Sequence, residues 1–330
     1  MFHMSKKYVW YVAYGANMLK ERLMTLISGG EFRGIKRSYD VCSDTSPPKD
    51  DKTILIPHGL YFGNTAKDWS NQGIAFIDKK MSNSVSLGRA YLISEEQYNH
   101  IQKQEIKSDT LMKWYGDKIT IQTANEKYPI WIQTQDLSFR NIYEPSADYV
   151  DIMLEGICES YYPNVPYGKF HRVLREAIKH LGKPYGKHAA GPNTFDCSSF
   201  FTEVYTESGV CNMRRQEWRG AKNKIKAFKE SNSFILKKRT DTMYLGDALF
   251  FCEYGKKGNE NEVASHVGIY IGHDLMIHAS KRKEEHVGSV RINSLLDGKW
   301  LERLIGIGGL PSGNPVQPSI SLITNKTHLL

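Results

Sequence analysis

The run Tyr161-Tyr162-Pro163-Asn164-Val165-Pro166 limits what this chain can fold into more than any other stretch. Two prolines so close together interrupt any helix or central strand that would cross them. The run therefore predicts a border near residue 164. It splits 330 residues into two halves, each long enough to bury a core of its own. The expected organisation is one domain at 1–163, a second at 164–310 and a loose tail at 311–330. That tail begins with the linker-like PSGNPVQPS.

The formal net charge of +8 divides at the same place. Residues 1–163 hold 19 Lys/Arg and 20 Asp/Glu, while 164–330 hold 25 and 16. Within the second half, Arg214–Arg239 alone carries 10 basic and 2 acidic residues. The excess is thus one local feature, and a general nucleic-acid-coating character is excluded. The segment reads as a solvated face or as a rim that attracts carboxylate-rich peptides.

Five scattered cysteines, Cys42, Cys158, Cys197, Cys211 and Cys252, form neither a paired framework nor a zinc pattern. The start, MFHMSKKYVWYVAYG, reads as a core strand, and no apolar run has the ~18 residues of a membrane helix. The expectation is a cytoplasmic chain with no membrane contact and no metal or other cofactor, its oligomeric state open.

Val9–Ala13 predicts a strand, Tyr14-Gly15-Ala16-Asn17 a turn, and Met18–Ile27 a helix. SDTSPPKDDK (43–52) reads as a loop. Strands are expected at Leu60–Phe62, Gly73–Ile77, Gly88–Ile93 and Ile119–Gln122. Ser94 and Gln97 form a capping-box pattern for a helix running to about Glu105. A helix follows Pro145-Ser146, and another spans about Lys169–Leu181. Phe195-Asp196-Cys197-Ser198 opens a helix that Gly209 stops. Further strands are expected at Ala248–Phe251, His266–Ile271 and Leu275–His278.

Cys197 carries the sharpest chemistry. It stands at a predicted first helical turn, where unpaired amides and the helix dipole favour a thiolate and could hold an oxyanion. A nucleophilic cysteine needs a histidine base oriented by a third polar group. His266 and His278 lie on consecutive strands joined by Gly272-His273-Asp274, so a hairpin would bring them together. From spacing alone, Cys197 reads equally well as an inert buried helix residue.

PYGKHAAGPNTFDCSSFFTEVYTESGV, GDALFF, SHVGIYIGHDLMIHAS and VRINSLLDGKWLERLIGIGG together resemble the NlpC/P60 cysteine peptidases, over about residues 167–310. The resemblance implies a papain-like α+β fold. It implies Cys197 as nucleophile, His266 as general base and His278 as orienting residue. Tyr185, Asp196, Ser198 and Ser265 match substrate-lining positions. The implied reaction is hydrolysis of γ-D-glutamyl–diamino acid bonds in peptidoglycan-derived peptides. Ser199 and the loop Gly186–Gly191 depart from the family pattern, which bears on peptide specificity.

YVAYGANMLKERLMTLISGG, IPHGLYFG, GIAFID, LGRAYLISEEQYNHIQKQE and SADYVDIMLEGICESYYP resemble the γ-glutamylcyclotransferase-like family, over about residues 7–163. That resemblance implies a mixed barrel with flanking helices. It also implies a cradle for a γ-glutamyl group at Tyr14, Gly15, Ala16 and Asn17, with Glu105 as the base that cyclises it to 5-oxoproline. Ala16 stands where serine is usual. Both resembled families recognise a γ-glutamyl group, so the implied partner is a small peptide with that linkage. The alternatives are a cysteine amidase, deamidase or acyltransferase acting on another protein or metabolite, and a non-catalytic binding protein.

Overall fold

The computed structural model describes residues 6–80, 83–105, 114–121, 126–136, 141–214, 218–236, 243–281 and 288–309. The chain divides into two units. Unit 1 runs to Asn164, and unit 2 continues from Val165 and takes in Asn83–Val85.

In unit 1, β1 (Tyr8–Ala13) is buried from Val9 onward. A strand covered on both faces needs such a continuous apolar run. A short 3-10 turn at Ala16–Met18 leads into α1 (Lys20–Ser28). The order continues β2 (Gly30–Phe32), β3 (Ile35–Tyr39), β4 (Asp50–Ile56), β5 (Gly59–Ala66), β6 (Gln72–Asp78) and β7 (Ser86–Ser94). Then come α2 (Glu95–Glu105), β8 (Asp117–Ile121), β9 (Ile130–Thr134) and α3 (Ala147–Tyr161). The main sheet has the order β4-β7-β1-β9-β8. It is mixed, because β1 pairs antiparallel with β7 and parallel with β9. β5 and β6 form a separate hairpin. Thr134 Oγ1 on β9 donates to the Ile77 carbonyl on β6 at 2.6 Å.

The expected capping box at α2 is present in both directions. Gln97 N–H donates to Ser94 Oγ at 3.2 Å, and Ser94 N–H donates to Gln97 Oε1 at 3.0 Å. Ser146 caps α3 by accepting from Tyr149 N–H. Gly156 of α3 sits against the turn after β1, where an added Cβ would lie 2.4 Å from Leu19 N. Only glycine permits that approach, and it seats the Tyr14–Asn17 loop.

The structure differs from the sequence reading at β4. Asp50–Lys52, expected in a loop, pair with Leu92–Ala90 of β7. Main-chain pairing to a neighbouring strand outweighs the low strand preference of Asp and Lys.

Unit 2 contains α4 (Lys169–Ile178), α5 (Cys197–Glu207), α6 (Gly220–Glu230), β10 (Phe234–Leu236), β11 (Ala248–Phe251) and β12 (His266–Gly272). It ends with β13 (Leu275–Ser280), β14 (Ser289–Ser294), α7 (Trp300–Arg303) and β15 (Leu304–Gly308). Its six strands lie in the order β10-β15-β11-β12-β13-β14, all pairs antiparallel. α5 lies against β12 and β13 and buries Phe200, Phe201, Val204 and Tyr205 completely. Each such side chain contributes about 1.5–3 kcal/mol relative to exposure. The architecture is α+β in both units. The expected tail at 311–330 lies outside the described residues. Among those described, no helix is long and apolar enough to cross a membrane.

Candidate functional site

The start of α5 is built by its cap. Asp196 Oδ1 accepts from the N–H groups of Ser198 at 2.8 Å and Ser199 at 2.7 Å, and from Ser198 Oγ at 2.9 Å. Ser199 Oγ accepts from Asp196 N–H at 3.0 Å, which completes a capping box worth about 1 kcal/mol. Cys197 follows as the first helical residue, half-buried, its sulfur accepting from the amides of Val267, Ser198 and Cys197 itself. Val267 is the neighbour of His266, so the thiol lies beside the strand that bears the histidine.

The expected thiolate-favouring helix start is not what results. Burial pushes the Cys197 thiol up to about 11, and the Asp196 charge adds to this against the three amides. The main physical reason is burial, and the capping carboxylate adds a like charge close to any thiolate.

The two histidines meet as the hairpin argument requires. His273 and Asp274 both have positive φ, 52° and 55°, and make the two-residue turn between β12 and β13. His266 Nε2 lies 2.6 Å from His278 Nδ1. His278, fully buried, has its Nε2 2.8 Å from Asn293 Oδ1 on β14.

This chain of contacts sets the proton positions. Asn293 Nδ2 donates to the Asn83 carbonyl at 2.5 Å, so the amide oxygen faces His278. His278 Nε2 then carries a hydrogen and Nδ1 accepts. His266 must donate from Nε2, which leaves its Nδ1 as the unprotonated nitrogen. Asn293 had no signal in the sequence. It comes into line only because His278 pairs with Arg291 across β13 and β14, and Asn293 lies two residues further on.

Trp300 covers both histidines, its ring centroid 5.3 Å from that of His266 and 5.2 Å from that of His278. The Arg303 guanidinium lies 4.7 Å from the Trp300 ring and donates twice to the Cys252 carbonyl. Burial, then His278, then Arg303 hold His266 well below the usual imidazole range.

Tyr185 is half-buried, and burial raises its phenol, with added contributions from the charges of Cys197 and Asp196. Ser265 is exposed, its N–H donating to the Phe251 carbonyl at 2.9 Å. Ser198 is turned toward the capping carboxylate.

The basic segment is divided. Arg215 and Lys237–Arg239 lie outside the described residues, and Arg214 pairs with Glu203 and Glu207 of α5. Arg219, Lys222, Lys226 and Lys229 face water. Lys224 does not: it is 1% exposed and donates to Thr202 Oγ1 at 2.5 Å and to the Trp218 carbonyl at 3.2 Å. Thr202 Oγ1 in turn donates to the Ser198 carbonyl at 2.9 Å, beside Cys197.

Unit 1 brings its own predicted residues together. Tyr14, Gly15, Ala16, Asn17 and Glu105 all line one pocket. Asn17 Nδ2 donates to Glu105 Oε1 at 2.7 Å and to Tyr11 Oη at 3.0 Å. Burial raises the Glu105 carboxyl, against the Asn17 hydrogen bond and the charges of Arg22 and Arg37. An added Cβ on Gly15 would lie 2.4 Å from Tyr149 Oη, so glycine is required there. Arg22 and Gln133, which the sequence reading did not single out, also line the pocket.

Residues 182–308 match the NlpC/P60 family and form an NlpC/P60 domain. Histone deacetylase 5 of Arabidopsis thaliana is 28% identical over 192 residues, covering 47% of this chain and 29% of that protein. Probable endopeptidase p60 of Listeria seeligeri is 31% identical over 136 residues, covering 41% of this chain and 21% of that protein. This chain therefore spans less than a third of either relative. Among solved structures, one titled gamma-glutamyl cyclotransferase is 19% identical with a TM-score of 0.36, covering 56% of this chain and 93% of that one.

Proposed function

We propose, from the NlpC/P60 domain at residues 182–308, that unit 2 is a cysteine endopeptidase for γ-D-glutamyl–diamino acid bonds in peptidoglycan-derived peptides. The observation that carries this reading is the hydrogen-bond chain from Asn293 through His278 to His266, which leaves Nδ1 of His266 free to accept a proton.

With the thiol raised and the imidazole lowered, the resting pair is neutral. The Cys197 sulfur attacks the γ-carbonyl as its proton passes to His266 Nδ1. The tetrahedral intermediate then breaks its C–N bond, and the proton on His266 goes to the departing amine. Water, deprotonated by His266, hydrolyses the thioester and returns the thiol. His278 holds the ring in the required tautomer throughout. Tyr185, beside Cys197, and the exposed Ser265 are the substrate-facing groups.

Unit 1 in this reading binds a γ-glutamyl group and cyclises it. Glu105 takes a proton from the α-ammonium group, and the freed nitrogen attacks the γ-carbonyl. The γ-amide C–N bond breaks, and the proton held by Glu105 passes to the departing amine, leaving 5-oxoproline. A carboxyl raised by burial is a stronger base than an exposed one, which favours this role.

The test is mass spectrometry of products from a γ-D-glutamyl stem peptide. Cleavage at the γ-bond by the wild type and none by Cys197→Ala is expected. An uncut peptide with wild type, or cleavage retained in the variant, would overturn the assignment. Appearance of 5-oxoproline from a γ-glutamyl dipeptide, abolished by Glu105→Gln, tests the second activity.

A further inference from the structure

Arg22 is 5% exposed, yet its Nε and Nη1 have no hydrogen-bond partner among the described residues. Its third nitrogen, Nη2, donates to Tyr39 Oη at 2.6 Å. The guanidinium is held between rings, 5.2 Å from the centroid of Phe32, 4.4 Å from Tyr39 and 6.0 Å from Trp69. Such stacking fixes the plane of the fork while leaving Nε and Nη1 without a partner among the described residues.

Gln133 repeats the pattern. It is 3% exposed, and neither Oε1 nor Nε2 has a partner among the described residues. Both residues line the pocket that holds Glu105. Buried polar atoms left unpaired are expensive, and more so on a charged group. Two such side chains in one pocket mark a place built for a polar ligand.

The charges say which ligand. Several other polar groups of the pocket are paired internally. Arg37 donates to Asp68 Oδ2 at 2.8 Å, Asn17 to Glu105, and Tyr14 Oη to the Gln133 carbonyl at 2.5 Å. Arg22 offers two cationic donors, and Gln133 an amide donor, unpaired among the described residues.

We infer that Arg22, supported by Gln133, is a specificity-determining residue that requires a free carboxylate on the group entering this pocket. The inference deepens the γ-glutamyl reading of unit 1 and rests on it. A glutamyl residue carries an α-carboxylate beside its α-amine. With the amine directed to Glu105, the carboxylate is the group left to meet Arg22. A γ-glutamyl peptide whose α-carboxylate is converted to a carboxamide presents N–H donors to a donor fork and is refused. Rejection of this kind is strong, because the mismatch leaves buried donors unpaired.

The experiment is isothermal titration of the full chain with two matched pairs. One pair is a γ-glutamyl dipeptide and its α-carboxamide. The other is 5-oxoproline and 5-oxoprolinamide, which contain no γ-glutamyl amide bond. Amidation is expected to weaken binding at least 30-fold in both pairs. Arg22→Gln should remove most of that gap, and Gln133→Leu should narrow it less. Acids and amides that bind alike, or acids that do not bind at all, overturn the inference. Should Arg22→Gln fail to fold, the wild-type pairs still decide. A gap in the oxoproline pair with no binding of the γ-glutamyl dipeptide would sink the γ-glutamyl reading and leave the carboxylate requirement standing.

Discussion

Asn293 sets the proton on His278: its side-chain oxygen lies 2.8 Å from Nε2, in the fully buried part of β13 and β14. Removing that oxygen leaves a buried N–H without its acceptor, and the ring gains by exchanging tautomers. Ser280 Oγ, at 3.5 Å, is a poorer replacement. Asn293→Ala is expected to lower kcat roughly 100-fold with KM little changed, as the wrong tautomer of a catalytic histidine does. Asn293→Asp keeps an acceptor and should retain most of kcat. Steady-state kinetics on a stem peptide check this, and an unaltered kcat in the alanine variant would remove the tautomer argument.

The base role proposed for His266 requires a neutral ring. Burial, His278 and Arg303 all push its pKa down, so it stays neutral to lower pH than an ordinary imidazole at 6.5. The acid limb of kcat/KM should therefore lie below pH 6.5. Arg303→Gln removes one of the three causes and should move that limb upward. A limb that stays in place in the variant would mean that Arg303 is not felt at the histidine.

Cys197 alkylation reports the thiol directly. With the thiol pushed up to about 11, the iodoacetamide rate at pH 7 should fall below that of an exposed cysteine. It should then rise close to tenfold per pH unit through pH 9.5 without levelling. A fast, level rate near pH 7 would show a resting thiolate and contradict the neutral pair.

Lys224 gives stability its own pH dependence. Burial lowers its pKa from 10.5 to about 8, against the charges of Asp196 and Cys197. Between those values the unfolded chain binds more protons than the folded one, so unfolding free energy from this group rises with pH. The span amounts to on the order of 3 kcal/mol. Lys224→Met should flatten the rise between pH 8 and 10, measured by urea unfolding. An unchanged slope would show that the lysine stays charged when folded.

Elements with local chemistry were legible from the chain itself. The Ser94–Gln97 box, the helix after Pro145-Ser146 and the cysteine at the start of α5 depend on residues within a few positions of each other. The His273-Asp274 turn is equally local, and it delivers both histidines to one place. What was not legible depends on distant pairing. β4 begins in Asp50-Asp51-Lys52, which no strand preference favours, and Asn293 matters only through sheet register. Lys224 and Arg22 were hidden for a different reason. A cation in a polar stretch reads as surface, and only tertiary packing shows that these two are inside.

The division of α6 into one buried and several solvent-facing cations bears on how this domain can change over time. Lys224 is tied through Thr202 to the turn that carries Cys197, so substitution there must be matched at its partner. Lys222, Lys226 and Lys229 are under no such obligation. The outer charge of this helix is thereby structurally independent of the turn that carries Cys197. That face can be made neutral or acidic by substitution while the turn at Cys197 stays in register.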